Sequence, residues 1–304
     1  MSINSIGASV KTLRTKRGYT AKAMYTGLMS RANYARFEKG EIDTTAANLY
    51  ELTKRLNISI DEWTRLYDQN RGRDVGGEKT MQVNQLLNTG WTTKQPEPLH
   101  QAAAICRDLY ATYHYPNEHF SGLTAEALAI YLENHEDITQ PNPALTEIIT
   151  YLNGIETWYA KDVGLLYNVL QILPMQTLLQ QVTRYLFMVK NNAWLGQGDT
   201  FLPSQPELVQ QCFQPVIVQQ DADTFHQLLT LFNGITMSER LIFPTLMRQI
   251  YQAFDRFTKD HDQLALDHTI DAVFTVIQPD VTPFNDQEVH QQVQLLRDWL
   301  VPKK

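Results

Sequence analysis

The chain has 304 residues, 43% of them apolar, which is enough to bury a sizeable core and to fill two domains, and which excludes disorder as the default state. Its net charge of −7 would argue against a nucleic-acid partner, but the charge is unevenly placed: residues 1–73 hold 13 of the 26 Lys and Arg and 7 of the 33 Asp and Glu, a net +6 against −13 for the remainder. Phosphate-facing charge is confined to the N-terminal quarter.

The first predicted helix carries Ile6, Val10 and Leu13 at helical spacing and ends at Gly18, with Lys11, Arg14, Lys16 and Arg17 around it. Thr20 is placed to cap a second helix running through Ala21, Lys22, Ala23 and Met24 towards Leu28, and Gly27 supplies a tight exit. Ser30 caps a third, Arg31 to Glu38, whose Tyr34 and Phe37 share an apolar stripe while Arg31, Asn33 and Arg36 occupy the opposite side. Arg can grip guanine O6 and N7, and Asn can grip adenine N6 and N7, so such a helix suits the major groove. The pair reads as a helix-turn-helix; a helical bundle with a solvated basic face is the alternative. The expected DNA-binding residues are Thr20, Lys22, Ser30, Arg31, Asn33, Arg36 and Lys39. Thr44 and Thr45 precede a fourth helix with Leu49, Leu52 and Leu56, and Ser59 to Glu62 has capping-box spacing for a fifth with Trp63 and Leu66.

The run Phe37 to Asp43, FEKGEID, followed by Leu49, Leu52, Leu56, Ile58 and Asp61-Glu62-Trp63, resembles the N-terminal domain of the Rgg/GadR/MutR transcriptional regulators, over roughly residues 5–68. The resemblance implies a five-helix, lambda-repressor-like domain and an internal ion pair between Arg14 and Glu38. The chain departs from related repressors at Ala21, where a phosphate-contacting Gln is common, and at Tyr25, where a small residue is usual.

Residues 71–98 read as a linker plus a first short helix around Val83, Leu86 and Leu87, with TGWTTKQPEP as a loop. From 99 to 304 the pattern is helix after helix, broken at Tyr115-Pro116-Asn117, Gln140 to Pro143, Asn153-Gly154, Leu173-Pro174, Asn191 to Pro206, Asn233-Gly234, Lys259 to Asp262 and Gln278 to Pro283. Capping boxes are expected at Ser204 to Glu207 and Thr236 to Glu239. The expected fold is therefore all-α: a helix-turn-helix domain at 1–70, then a tetratricopeptide-like array of helical hairpins whose concave face is a natural groove for a peptide. Trp158, Asp162, Leu165 and Asn168 fall near the same family's pattern of Trp, acid, Leu and Asn. In that family the domain dimerises the protein and binds a short imported peptide pheromone. Asn153, Asn168, Arg184 and Asn233 are the candidate peptide-binding residues, because side-chain amides both donate to and accept from an extended backbone, with Trp158 and Tyr185 as apolar walls. Asn153 and Asn233 also read as helix C-caps, and Trp158 as core. Relatives with an intermolecular disulfide join their DNA domains; here Thr44 and Thr45 stand in that region and no Cys precedes position 106, so the link is not expected.

Cys106 and Cys212 form no CxxC and read as small apolar residues on amphipathic helices, reduced in the cytoplasm. The N-terminus lacks the apolar core of a signal peptide, and the most apolar stretch, Val163 to Met175, is broken by Asn168, Gln171 and Pro174, so no membrane span is expected. His114 and His119, and the acids and imidazoles from Asp260 to His268, match no metal-site motif, and no nucleophile or phosphate-loop motif occurs; neither metal, cofactor nor enzyme activity is expected. The sequence reading is a cytoplasmic, homodimeric DNA-binding regulator with a double-stranded operator, a short peptide and RNA polymerase as partners. A regulator without a ligand, and a helical-repeat scaffold that has given up DNA, are the alternatives.

Overall fold

The computed structural model describes residues 5–70, 75–192, 203–238, 241–277 and 286–300, and every regular element among them is helical. The chain divides into two compact units, Met1–Gln85 and Leu86–Lys304.

The first unit packs α1 (Ile6–Lys16), α2 (Ala21–Tyr25), α3 (Arg31–Glu38), α4 (Ala46–Arg55) and α5 (Ile60–Asn70) around Val10, Met24, Tyr34, Phe37, Leu52, Leu56, Ile58 and Trp63. Short polar side chains set the helix starts. Thr20, Ser30 and Thr45 each accept a hydrogen bond from the backbone N–H three residues on, at 3.2 Å, satisfying one orphan donor apiece. The Ser59–Glu62 box closes in both directions, at 2.7 and 3.0 Å. The second helix stops at Tyr25, earlier than its apolar run suggests, because the chain turns through Gly27 at φ +79°.

Gly7 marks the closest approach in this unit. A Cβ there would lie 1.6 Å from the Phe37 carbonyl oxygen, so α1 and α3 touch backbone to side-chain-free backbone. Tyr25, where a small residue is usual in related repressors, packs its ring 5.7 Å from that of Tyr34. The bulk is taken up as aromatic contact.

In the second unit α6 (Val75–Thr93), which crosses from the first, ends beside α7 (Pro96–Tyr113), and α7 pairs with α8 (Pro116–Glu133). The expected loop through Thr89 to Thr93 is the last turn of α6. Gly90, within that stretch, makes room for Leu99, which a Cβ would approach to 2.6 Å. A seam of Ala102, Ala103 and Cys106 against Gly122, Ala125 and Ala129 supplies small residues where α7 and α8 meet. Next come α9 (Pro143–Gly154), α10 (Ala160–Val169) with a 3-10 turn at Leu170–Ile172, α11 (Met175–Asn191), α12 (Gln205–Gln211), α13 (Phe213–Gln219), α14 (Ala222–Asn233), α15 (Ile242–Asp260), α16 (Gln263–Val276) and α17 (Asp286–Leu300). One apolar core runs through all of them, thickest where Phe213, Phe225, Phe232, Tyr251, Phe254 and Trp299 interlock. This is the array of helical hairpins that the sequence predicts.

Two breaks were absent from the sequence pattern. Cys212, expected inside a helix, is the joint between α12 and α13, and Gln220 ends α13 in the left-handed region at φ +56°. The Ser204–Glu207 cap forms at 2.7 Å. The Thr236–Glu239 cap, the segment 71–74, most of the Asn191–Pro206 break and the Gln278–Pro283 break lie outside the described residues.

Candidate nucleic-acid interface and peptide site

Arg31, Asn33 and Arg36 are exposed on α3, with Lys39 just beyond its end and Thr20 and Lys22 exposed at the start of α2. Tyr34 and Phe37, at 1% and 0% exposure, anchor the opposite side of α3, and so fix which side chains face out. Thr20 and Ser30 spend their hydroxyl acceptors as helix caps. Glu41, which sequence reasoning passed over, sits between two of the cations: 3.5 Å from Arg36 Nε and 3.7 Å from Lys39 Nζ. All three side chains are about half exposed, so these pairs hold loosely and can be exchanged for phosphate.

Behind this face, Arg14 Nε donates to Glu38 Oε1 at 2.6 Å and Nη2 to Oε2 at 3.1 Å, while Nη1 donates to the Tyr19 carbonyl at 2.9 Å. The Glu38 hydrogen bond, opposed by burial, raises the Arg14 pKa. Burial, with the Glu38 charge added, pushes the neighbouring Tyr34 phenol well above its ordinary range. The pair joins α1 to α3 and is inward-facing.

In the second unit Asn153, Arg184, Trp158 and Asn233, four of the proposed peptide residues, take part in two similar clamps. Asn153 Oδ1 accepts from Gln181 Nε2 at 2.9 Å and Arg184 Nη1 at 3.3 Å; Arg184 Nη2 also donates to the Ile155 carbonyl, and its guanidinium stacks 5.5 Å over the Trp158 ring. Asn233 Oδ1 accepts from Gln252 Nε2 at 2.7 Å, and Arg248 Nη1 donates to the Ile235 carbonyl at 3.0 Å while stacking on Phe232. The short repeat Asn-Gly-Ile, at 153–155 and 233–235, is thus held each time by a Gln on the Asn side chain and an Arg on the Ile carbonyl, but only Arg184 also reaches its Asn. Each Asn stands at the end of its helix, but Gly154 and Gly234 do not take the left-handed conformation of a glycine C-cap.

Two expected residues need correction. Trp158 and Tyr185 are fully buried in the core, with Trp158 Nε1 donating to the Leu152 carbonyl at 3.2 Å, so neither is the wall of an open groove. Sequence spacing identifies apolar positions without saying which side of the array they face. Asn168 is exposed on α10, apart from the two clamps.

The acids and imidazoles form ordinary contacts. His119 Nε2 lies 2.9 Å from Glu147 Oε1, His226 Nδ1 lies 3.0 Å from Asp255 Oδ1, and Asp262 caps α16. Among the described residues no three His, Cys, Asp or Glu converge as metal ligands, and no helix is long and apolar enough to cross a membrane. Cys106 and Cys212 are buried free thiols, both pushed up by burial, Cys106 to about 11.

Residues 10–63 match the helix-turn-helix family. The whole chain superimposes on the SHP pheromone receptor Rgg2 of Streptococcus dysgalactiae with a TM-score of 0.65 at 14% identity, covering 96% of this chain and 98% of that one. A candidate transcriptional regulator from Listeria monocytogenes EGD-e gives 0.65 at 16% identity, covering 97% and 98%. PrgX in its complex with cCF10 gives 0.56 at 14%, covering 98% and 94%. The chain has the fold of Rgg2 and PrgX. No curated protein matches it in sequence. The resemblance to Rgg-type regulators read from FEKGEID therefore holds over the full length as a likeness of fold, helix-turn-helix and helical array together.

Proposed function

We propose that the protein is a DNA-binding transcriptional regulator of the Rgg type, controlled by a short peptide and acting as a homodimer in the cytoplasm. The observation that carries this is the pairing, in one chain, of a helix-turn-helix with an exposed Arg31, Asn33, Arg36 and Lys39 and an array sharing the Rgg2 and PrgX fold from end to end. Arg31 and Asn33, in the first turn of α3, reach base edges; Arg36, Lys39 and Lys22 hold phosphate. Two such domains read a two-fold-related operator, and RNA polymerase is the further partner of a regulator so placed.

The Asn153–Arg184 clamp, the Asn233–Gln252 pair with Arg248 on the neighbouring Ile235 carbonyl, and the separate, exposed Asn168 are the proposed peptide contacts. The first already ties the end of α9 to α11 and the second ties the end of α14 to α15, so a peptide amide competing for Arg184 or Asn233 alters how those helices are tied. Control of DNA binding follows if the peptide has different affinity for two arrangements of the dimer.

Replacing Arg31 and Asn33 together by Ala is the test. Operator binding is expected to disappear while dimerisation and peptide affinity stay unchanged; a variant that loses its dimer would place these residues in the wrong role.

A further inference from the structure

The turn between α2 and α3 depends on a residue from outside both helices. With five residues, α2 is too short to hold itself, and its C-terminal carbonyls need partners. Two are satisfied locally: the Lys22 carbonyl accepts from Thr26 N and Oγ1, at 3.2 and 2.6 Å, and the Tyr25 carbonyl accepts from Leu28 N and Met29 N, at 2.9 and 3.2 Å. The other three all fall to one group. Arg55 Nη1, at the end of α4, lies 3.3 Å from the Ala23 carbonyl oxygen, 2.8 Å from that of Met24 and 2.8 Å from that of Thr26. Glu51, one turn back on α4, steadies the guanidinium from 3.6 Å.

Resting on the DNA-binding reading above, we infer that Arg55 is a positioning residue for operator recognition: by capping α2 it fixes the Thr26–Met29 turn, and through it the angle at which α3 presents Arg31 and Asn33. The side chain is only 26% exposed and its donors point at the protein's own backbone, which separates it from the phosphate-facing cations. The placement is also electrostatically apt, since a cation at a helix C-terminus faces the negative end of the dipole. Loss of the three bonds frees the turn while the core residues Met24, Tyr34 and Phe37 still hold the domain together. Arg55 thereby sets discrimination between sequences, which needs α3 at one angle, and leaves phosphate attraction, which does not.

The test uses the full chain carrying Arg55→Lys or Arg55→Met, with a duplex selected by the wild-type protein and a scrambled duplex of equal length, at two salt concentrations. Hydrogen exchange of the Thr26–Ser30 amides is followed in the same samples. Lysine keeps the charge but its nitrogen ends one bond short of the Nη1 position that meets all three carbonyls, so it is expected to lower affinity for the selected duplex at least tenfold, leave the scrambled duplex within twofold, preserve the salt slope and speed exchange at the turn. Methionine should match it in discrimination. If affinity for both duplexes falls together and the slope becomes shallower in Arg55→Met but not Arg55→Lys, Arg55 is a phosphate contact and the inference is wrong. Full discrimination with lysine, or unchanged exchange at the turn, also overturns it. Should the wild-type protein bind no duplex at all, the functional reading falls by itself, and the exchange rates still decide whether Arg55 holds the turn.

Discussion

Arg14 and Glu38, 24 positions apart, meet through two hydrogen bonds of 2.6 and 3.1 Å with side chains only 15% and 10% exposed. The contact locks α3 to α1 from behind while Tyr34 and Phe37 lock it from within. Glu38→Gln leaves a guanidinium in a mostly dry site with a weaker partner, a loss of about 2–3 kcal/mol from the helix-turn-helix unit. Chemical denaturation followed by Trp63 fluorescence should show an early transition shifted to lower denaturant, with the array's transition unmoved.

Gly7→Ala tests the α1–α3 crossing. The added methyl meets the Phe37 carbonyl oxygen at 1.6 Å, and the obstacle is backbone, which cannot rotate aside. The cost is about 1–3 kcal/mol despite alanine's better helix propensity, and the same early transition reports it. A stabilised domain would show that the two helices are further apart than described.

Trp158→Ala removes a fully buried ring that also supports Arg184. About 3–5 kcal/mol of array stability should go with it. At temperatures where the variant remains folded, peptide affinity should fall less than in Arg184→Met, because the proposal puts Arg184 against the peptide and Trp158 behind it. The reverse order would restore Trp158 as a groove wall.

His100 links α7 to α8, with Nε2 at 2.8 Å from Glu133 Oε1 and Nδ1 at 3.6 Å from Glu126 Oε2; Arg107 also reaches Glu126, at 3.5 Å. The Glu133 hydrogen bond, opposed by partial burial and helped by the charge of Glu126, raises its pKa from the ordinary value of 6.5. A raised folded-state pKa means that the contribution is complete below about pH 6.5 and is lost as the pH climbs through the higher folded value. Melting of the array between pH 5.5 and 8 should therefore lose less temperature in His100→Gln than in the wild-type protein. Parallel curves would remove His100 from the account; the effect is modest because the site is a third exposed.

The helix-turn-helix was legible because its punctuation is local: Thr20, Ser30, Thr45 and Ser59 announce helix starts within three residues of themselves. What holds those helices at fixed angles was not, since Gly7 against Phe37 and Arg55 against α2 are contacts across 30 or so positions. In the array, proline and Asn-Gly breaks were readable, but Gln220 takes a left-handed φ that its residue type does not advertise. The stretch from Thr89, read as a loop, begins with the last turn of α6, where Gly90 is a packing residue against Leu99. The peptide candidates could be named from residue type alone, whereas the hydrogen bonds that Gln181 and Gln252 make to Asn153 and Asn233 emerged only in three dimensions.

The most direct measurement is fluorescence anisotropy of the full chain on a labelled duplex from its own upstream region, at two salt concentrations, with and without short hydrophobic peptides encoded nearby. Binding that weakens steeply with salt, as several phosphate contacts require, and that one peptide shifts several-fold, is the result predicted here. Salt-sensitive binding that no peptide alters would contradict the sensing half, and failure to bind any duplex would contradict the regulator itself.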